Sequence, residues 1–388
     1  MAPTKGRKSA ANKNSPMLSH DFVIQNHADI VSCVAMLLVI GLMVQFTSPI
    51  SSLFVALQYG QTSDPNTNVV YTYGTGPKDL CAVFFYFLIC IIFHAIIQEY
   101  VLDKISRKLH LSKSKNSKFN EIGQLVIFYT ISIIWALDII VKGNWITDVT
   151  LLWVGYPNYI LSFSIKFFYI IQFAYWAHNF PELYFQKVKK EDMFNRVKYS
   201  VLYLAYISFV YITNFHRTGL VVLLLYYISV FVKLGVTLVD ITEKEEDSPK
   251  VKFAQKVYHW VFSLVQISIL LLSQYMWWFG LKFVHYTGGA RDFNYGTFKL
   301  VCSIGSLTVQ ALILNELCNE LKFTGITITI PPRIMKLLPK SKSRIDNANK
   351  KRKITSNRKF NELTEADQNI KKTLKTAAKK AAKTKGSK

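Results

Sequence analysis

The chain has 388 residues, of which 51% are hydrophobic and only 18% are charged. An ordinary globular chain carries roughly 25% charged residues, so this composition argues against a soluble protein. The formal net charge is +23, and it is concentrated at the C-terminal end, where residues 321–388 carry 20 Lys and Arg against four acidic residues. This distribution predicts a solvated basic tail rather than a folded basic domain.

Eight apolar runs follow in chain order, each near the roughly 20 residues that a helix needs to cross a bilayer. They cover about residues 30–48, 80–98, 122–141, 160–179, 198–214, 218–239, 257–281 and 297–318. The first run is predicted to be a retained anchor, because no clean signal-peptide cleavage site follows it. We therefore predict an all-α fold, a polytopic transmembrane helix bundle of about eight helices with a disordered basic C-terminal tail.

Basic residues alternate between the segments that connect these runs. Taken from the N-terminus, alternate segments hold 39 and five Lys and Arg. Because cytosolic loops are enriched in Lys and Arg, the pattern predicts an even number of crossings with both termini cytosolic. The predicted organisation is a cytosolic arm (1–29), two membrane helices with a lumenal and a basic cytosolic loop (30–116), a six-helix domain (117–322) and the basic tail (323–388).

Catalytic signatures are missing from the chain, which contains no HExxH, GxSxG, GxxxxGKS/T or GxGxxG motif. No two of the eight His lie three or four residues apart, which disfavours a paired-His metal site on a helix. The five Cys are odd in number and form no CxxC, which disfavours a disulfide framework. The chain has no Asn-x-Ser/Thr sequon. We therefore predict a protein that is not an enzyme, without cofactor, metal site or N-glycosylation.

Polar side chains inside a membrane are energetically expensive and are functional candidates. For His94 and His178, near predicted cytosolic helix ends, we expect structural or interfacial hydrogen bonding. For Asp138 and Lys166, near predicted lumenal ends, we expect solvation by headgroups or water. Two roles stay open for Lys233, which lies well inside its helix. Its long stem extends to the cytosolic headgroups, or its ammonium pairs with a carboxylate or a lipid headgroup.

Basic clusters follow the second and fourth predicted membrane helices. They contain Lys104, Arg107, Lys108, Lys113, Lys115 and Lys118, and then Lys187, Lys189 and Lys190. Such clusters set topology and attract anionic lipid. The alternative is contact with a polyanionic partner such as ribosomal RNA.

Several long strings in the chain are not explained by hydrophobicity alone. They are SHDF and QNHADIVSCVAM within residues 19–36, HAIIQEYVLD in His94–Asp103, SKFNEIGQ in Ser117–Gln124 and KFFYIIQFAYWAHNFPELYFQKVKKED in Lys166–Asp192. These strings closely resemble the translocating chain-associated membrane (TRAM) proteins of the endoplasmic reticulum, a family in the TLC-domain superfamily. The resemblance is dense from about Ser19 to Asp192 and thinner beyond.

The resemblance implies eight membrane helices with both ends cytosolic and a TLC domain over residues 117–322. Members of the family lie beside the Sec translocon, contact nascent polypeptide chains, and assist signal-sequence insertion and membrane-protein integration. We therefore predict a non-enzymatic accessory of protein translocation in the endoplasmic reticulum membrane. Its predicted partners are the Sec translocon, nascent chains, membrane lipids and, through the basic loops or tail, the ribosome.

Ceramide synthases share the TLC fold and suggest a rival interpretation, a lipid-handling protein or, more remotely, an acyltransferase. They carry two adjacent His and, on a later helix, two Asp. Here no His pair follows Lys190, and Tyr227 and Val230 stand where the two carboxylates are expected. The lipid-handling alternative predicts a cavity lined by Tyr226, Tyr227 and Lys233. Together with His94, these residues are the candidate lipid or helix contacts within the membrane.

Overall fold

The computed structural model describes residues 20–62, 70–157, 160–185, 190–243, 248–284 and 293–323. These residues form a helical membrane protein with a small β-hairpin. In chain order the elements are α1 (His20–Gln25), α2 (His27–Gly41), α3 (Ser48–Val55), β1 (Gly60–Thr62), β2 (Val70–Tyr73), α4 (Asp79–Ile97), α5 (Asp103–Leu109), α6 (Lys113–Lys142), α7 (Phe163–Phe185), α8 (Lys190–Ile212), α9 (His216–Thr242), α10 (Pro249–Trp278) and α11 (Gly296–Phe323). A π-helical turn, Gln98–Leu102, joins α4 to α5, and 3-10 turns cover Val149–Leu152 and Gly280–Phe283.

Each predicted apolar run coincides with one of these helices. Five helical segments of the described residues are long and apolar enough to cross a membrane: Asp79–Leu109, Lys115–Lys142, His216–Thr242, Pro249–Lys282 and Gly296–Asn315. Helix α2 is apolar but has only 15 residues, and polar side chains dilute the apolar sequence of α7 and α8. The all-α multi-pass bundle is confirmed, whereas the count of eight crossings is not. The predicted tail lies almost wholly outside the described residues.

Local sequence sets where the long helices begin and end. Ser112 caps α6, because its hydroxyl accepts the backbone N–H of Lys115 at 3.4 Å. Pro249 occupies the first turn of α10, where its missing N–H removes no hydrogen bond. Lys115 closes the end of α9, since its Nζ lies 3.2 Å from the carbonyl of Ile241 and 3.5 Å from that of Glu243. A cation at this position complements the helix dipole, so the start of α6 is joined to the end of α9.

The chain divides into two compact units, Met1–Leu314 and Asn315–Lys388, of which the second is described only over the last turns of α11. Within the first unit, α4 packs on α7, α6 on α9, α9 on α10, and α7 on α8. Aromatic side chains dominate the buried core of this unit, among them Phe128, Tyr129, Tyr169, Trp176, Tyr203 and Tyr227. The polar groups of these rings must find partners inside the bundle, because the bilayer core offers none.

The β-hairpin lies at the end of the bundle that the charge pattern predicts to be lumenal. Strand β1 pairs antiparallel with β2, with Gly60 opposite Tyr73. The backbone of Tyr73 also exchanges two hydrogen bonds with Leu161, at 2.9 and 3.1 Å. These bonds attach the hairpin to the segment that leads into α7, and the hairpin thereby covers the start of that helix.

Candidate functional site

The centre of the bundle is closed by hydrogen-bonded side chains from α6, α7 and α9. Tyr227 is fully buried, and its hydroxyl donates to Oε1 of Gln172 at 2.7 Å and accepts the indole N–H of Trp176 at 3.1 Å. Gln172 in turn donates to the hydroxyl of Ser132 at 2.9 Å. The position where the resemblance places a carboxylate of the ceramide synthases therefore holds a phenol with both of its hydrogen bonds made inside the protein.

Aromatic rings fill the space around this network. Trp176 stacks on Tyr203 with ring centroids 3.8 Å apart, and Tyr129 meets Tyr227 edge to face at 4.9 Å. The partly buried Tyr226 also packs edge to face on Tyr203. Tyr226 and Tyr227 are thus contacts between helices. Phenol, indole and amide groups are weak general bases near neutral pH, so the packed core offers little acid–base chemistry.

Lys233 lies apart from this core, on an exposed face of α9. Its Nζ is 5.8 Å from the centroid of the Tyr258 ring on α10, a distance at which a cation is attracted to the ring face. The structure therefore gives Lys233 a contact with the neighbouring helix, and a lipid role for it stays a prediction.

A second polar site lies between α4 and α7, toward the end of the bundle predicted to be cytosolic. Nε2 of His94 is 3.2 Å from Oε1 of Glu182, and Nδ1 of His94 is 3.5 Å from Nε2 of His178. His178 is fully buried and its Nδ1 contacts the carbonyl of Tyr175. We call His94, His178 and Glu182 the imidazole–carboxylate site. Glu182 lies four residues after His178, a spacing that places both on one helix face, but the sequence-based predictions considered the two His separately and did not include Glu182.

The backbone carbonyl of Tyr175 determines which nitrogens of the two imidazoles donate and which accept. A carbonyl oxygen only accepts, so Nδ1 of His178 carries a proton, and Nε2 of the neutral ring is an acceptor. Nδ1 of His94 then donates to His178, and Nε2 of His94 faces Oε1 of Glu182 at 3.2 Å. An imidazole beside a carboxylate is the combination of groups from which many general acids and bases are built.

Helical irregularity and a third imidazole border the imidazole–carboxylate site. Gln124 donates its amide to the carbonyl of His94 at 2.9 Å. Gln98 begins the π-helical turn, and such turns are frequent at functional sites. His27 stacks on Phe185 at 4.3 Å and is an electrostatic neighbour of His94. In the described part of the chain, no group of three or more His, Cys, Asp and Glu is arranged to hold a metal ion.

A buried ion pair lies at the opposite end of the bundle. Nζ of Lys166 is 2.7 Å from Oδ1 of Asp79, and it also donates to the carbonyls of Gln58 and Gly74 at 2.7 Å each. Oδ2 of Asp79 accepts the hydroxyl of Tyr211 at 2.8 Å. The expectation that headgroups or water solvate Lys166 is wrong. Its side chain is fully buried, because α4, α8 and the hairpin segment enclose the first turn of α7.

The predicted cytosolic basic residues are exposed at all five positions whose side chains the structure describes, Lys104, Arg107, Lys108, Lys115 and Lys118. Lys115 also caps α9. Lys113 and Lys190 belong to α6 and α8, but the structure does not describe their side chains. Lys187 and Lys189 lie outside the described residues. Contact of these clusters with anionic lipid or with the ribosome stays a prediction.

Comparison with known proteins relates the chain to a family of membrane proteins. A family model described as the TLC domain matches residues 118–315. Translocating chain-associated membrane protein 2 of Homo sapiens is 42% identical over 269 residues, which cover 69% of this chain and 71% of that protein. The Mus musculus protein of the same name is 47% identical over 215 residues, 55% of this chain and 58% of that protein. A sphingosine N-acyltransferase of Schizosaccharomyces pombe is 26% identical over 188 residues, 48% of this chain and 46% of that protein.

Proposed function

Because the chain belongs to the translocating chain-associated membrane protein family of the TLC-domain superfamily, we propose that it is a non-enzymatic accessory of protein translocation in the endoplasmic reticulum membrane. The observation that carries this proposal is the 42% identity with the human protein over most of both chains. The proposed partners are the Sec translocon and nascent polypeptide chains, with membrane lipids around the bundle. The exposed basic residues after α4 are proposed to face the cytosol and the ribosome, and both termini are proposed to be cytosolic.

The closed core supports an action by position rather than by reaction. Tyr227 occupies the place of an expected carboxylate, and its hydroxyl is held between Gln172 and Trp176. A substrate would have to break these hydrogen bonds and displace stacked rings to enter. Breaking buried hydrogen bonds without replacing them is costly, so the centre of the bundle is suited to rigidity rather than to turnover.

The short helix α2 supports an effect on the surrounding bilayer. Its 15 residues span about 22 Å at 1.5 Å per residue, against about 30 Å of hydrocarbon. A helix shorter than the hydrocarbon layer thins the bilayer beside it. A signal sequence of marginal hydrophobicity gains little free energy from entering lipid, so a thinner bilayer or a neighbouring helix could shift its insertion by on the order of 1–2 kcal/mol.

Reconstitution tests this proposal. Purified translocon is placed in proteoliposomes with and without the full chain, and signal sequences of graded hydrophobicity are translocated. We expect strong stimulation of weak signals, little stimulation of strong ones, and photocrosslinks from the nascent chain to this protein. In bilayers of shorter acyl chains the stimulation should shrink, because the lipid is already thin. Equal stimulation of all signals, or no crosslink, would contradict the proposal.

One observation favours a second candidate function, acyl transfer to a lipid amine, which is the more remote of the two alternatives. The pair of His94 and Glu182 offers the acid–base group that acyl transfer needs, and the chain is similar to a sphingosine N-acyltransferase. In such a reaction the sphingosine amine attacks the acyl thioester, an amide bond forms, and the thiol of coenzyme A leaves with the proton. The full chain is incubated with sphingosine and acyl-coenzyme A. Ceramide that disappears in His94→Ala would establish this function, and its absence in the wild-type protein would exclude it.

A further inference from the structure

A cleft opens where α10 ends and α11 begins. Its volume is about 350 Å³, and its walls include Trp277, Trp278, Leu281, Lys282, Val284 and Lys299. This volume lies in the range of about 300–1,000 Å³ that is usual for small-molecule sites. The cleft lies at the same end of the bundle as the β-hairpin, the end predicted to be lumenal, and within the unit Met1–Leu314.

Two lysines give the cleft a positive charge. Lys282 belongs to the 3-10 turn after α10, and Lys299 lies in the first turn of α11. Among the described residues, neither ammonium group is paired with a carboxylate. Gly296, the first residue of α11, also lines the cleft, so free N–H groups of a helix start add to the positive potential. A cleft with charge of one sign attracts ions of the other sign.

Apart from Asn294 and Gly296, the remaining walls are apolar and aromatic. Leu281 is fully buried and Trp277 almost so, whereas Trp278 is 52% exposed. Indole rings beside lysines are typical of the membrane–water interface, where the ring lies at the level of the lipid headgroups. An inorganic anion would make no use of such walls, but a lipid would bring both a charged headgroup and apolar chains.

The cleft is also held in shape without a ligand. The indole N–H of Trp278 lies 3.1 Å from the hydroxyl of Ser303 and 3.3 Å from Oε1 of Gln274. The amide of Asn294 donates to the carbonyl of Val284. These bonds fix one indole wall and the rim before any ligand arrives, and pre-organisation lowers the entropic cost of binding.

We propose that this cleft binds the phosphate-bearing headgroup of an anionic phospholipid, with Lys282 and Lys299 on the phosphate and the indole rings beside the glycerol and upper acyl chains. This site is separate from the translocation role, from the Tyr227 core and from the imidazole–carboxylate site. A lipid held there would occupy the junction of α10 with α11.

Native mass spectrometry of the full chain in detergent tests the site. The probes are dioctanoyl phosphatidylserine, dioctanoyl phosphatidylcholine and glycerophosphoserine, which carries the headgroup without acyl chains. We expect the anionic lipid to bind more tightly than the other two. The double variant Lys282→Gln/Lys299→Gln should bind it at least about tenfold more weakly, because two charge-assisted hydrogen bonds are lost. Lys282→Arg/Lys299→Arg should retain binding, since both charges remain.

The matched control is Lys78→Gln/Lys142→Gln, which removes the same charge from exposed lysines at the same end of the bundle. It should bind phosphatidylserine like the wild-type protein. An equal loss of phosphatidylserine binding in both double variants would show general electrostatic attraction and would contradict a specific site in the cleft. If glycerophosphoserine binds as tightly as the lipid, the ligand is a soluble phosphate compound and the assignment to a phospholipid is wrong. Melting temperatures of both variants confirm that each is folded.

Discussion

Lys166 and Asp79 form an ion pair that is closed off from solvent, with Nζ 2.7 Å from Oδ1 and side chains 0% and 6% exposed. The pair joins the first turn of α7 to the first turn of α4. Nζ also lies 5.3 Å from the ring centroid of Tyr59 and 5.7 Å from that of Tyr73. One ammonium group thereby holds two helices and both sides of the hairpin together.

Breaking this pair should destabilise the protein strongly. Lys166→Met leaves Asp79 as a buried carboxylate without its counter-ion, and loss of one partner of a buried pair costs about 3–5 kcal/mol. We expect a large fall in melting temperature, measured through the fluorescence of the seven tryptophans. The double variant Lys166→Met/Asp79→Leu should recover part of this loss, because no buried charge remains.

An exposed pair supplies the control for that experiment. Lys142 and Asp138 lie 2.7 Å apart, but their side chains are 74% and 47% exposed. Exposed pairs contribute about 0–1 kcal/mol, so Lys142→Met should leave the melting temperature nearly unchanged. A similarly small change in melting temperature for Lys166→Met would contradict the exclusion of solvent from the buried pair.

The core network predicts the effect of removing a single oxygen. Tyr227→Phe leaves Oε1 of Gln172 and the indole N–H of Trp176 without their shared partner, and an unsatisfied buried group costs about 1–3 kcal/mol. Tyr275→Phe is the control, because that ring is 49% exposed. We expect a lower melting temperature only for Tyr227→Phe, with stimulation of weak signal sequences retained at temperatures where the variant is folded.

The sequence predicted the helices well because hydropathy reports how each segment partitions into lipid, and this is a local property. Every apolar run coincides with a helix. The partners of Lys166 could not be predicted in this way, because its ion pair with Asp79 depends on how α4 and α7 pack. His94, His178 and Glu182 posed the same difficulty. Their types and helical spacing are visible in the sequence, but the approach of α4 to α7 that makes them one site is not.

A double-mutant cycle tests whether His94 and Glu182 interact. Both side chains are largely buried, at 14% and 11% exposure. His94→Leu and Glu182→Leu should each destabilise the bundle, whereas the double variant should cost less than their sum, because neither member of the pair is left without the other. Contacting residues show interaction energies of about 0.5–3 kcal/mol in such cycles. Strict additivity of the melting changes would mean that the pair is not formed.

Substitutions of the basic residues after α4 should have two different effects, one on stability and one on ribosome binding. Lys115→Gln removes the cap from the carbonyls of Ile241 and Glu243, and a cation at a helix end is worth about 0.3–1 kcal/mol. Lys118→Gln alters an exposed side chain and should leave stability unchanged. If this surface faces the ribosome, Lys118→Gln should weaken ribosome co-sedimentation at low salt, and the difference should vanish at high salt. Equal effects on stability would contradict the capping role of Lys115.

Single substitutions can test the predicted topology on both sides of the membrane. Asn68→Thr creates a glycosylation sequon at Asn66, between β1 and β2, and Asn349→Thr creates one at Asn347 in the basic tail. Positions 66, 68, 347 and 349 all lie outside the described residues, so neither change removes a described contact. The segment between the first two apolar runs carries one basic residue, whereas the tail carries 20, and the rule that cytosolic segments are basic places Asn66 in the lumen and Asn347 in the cytosol. In microsomes we expect an endoglycosidase-sensitive increase in mass for Asn68→Thr alone. Modification of Asn347 without modification of Asn66 would invert the orientation, and would move the exposed basic residues after α4 away from the ribosome.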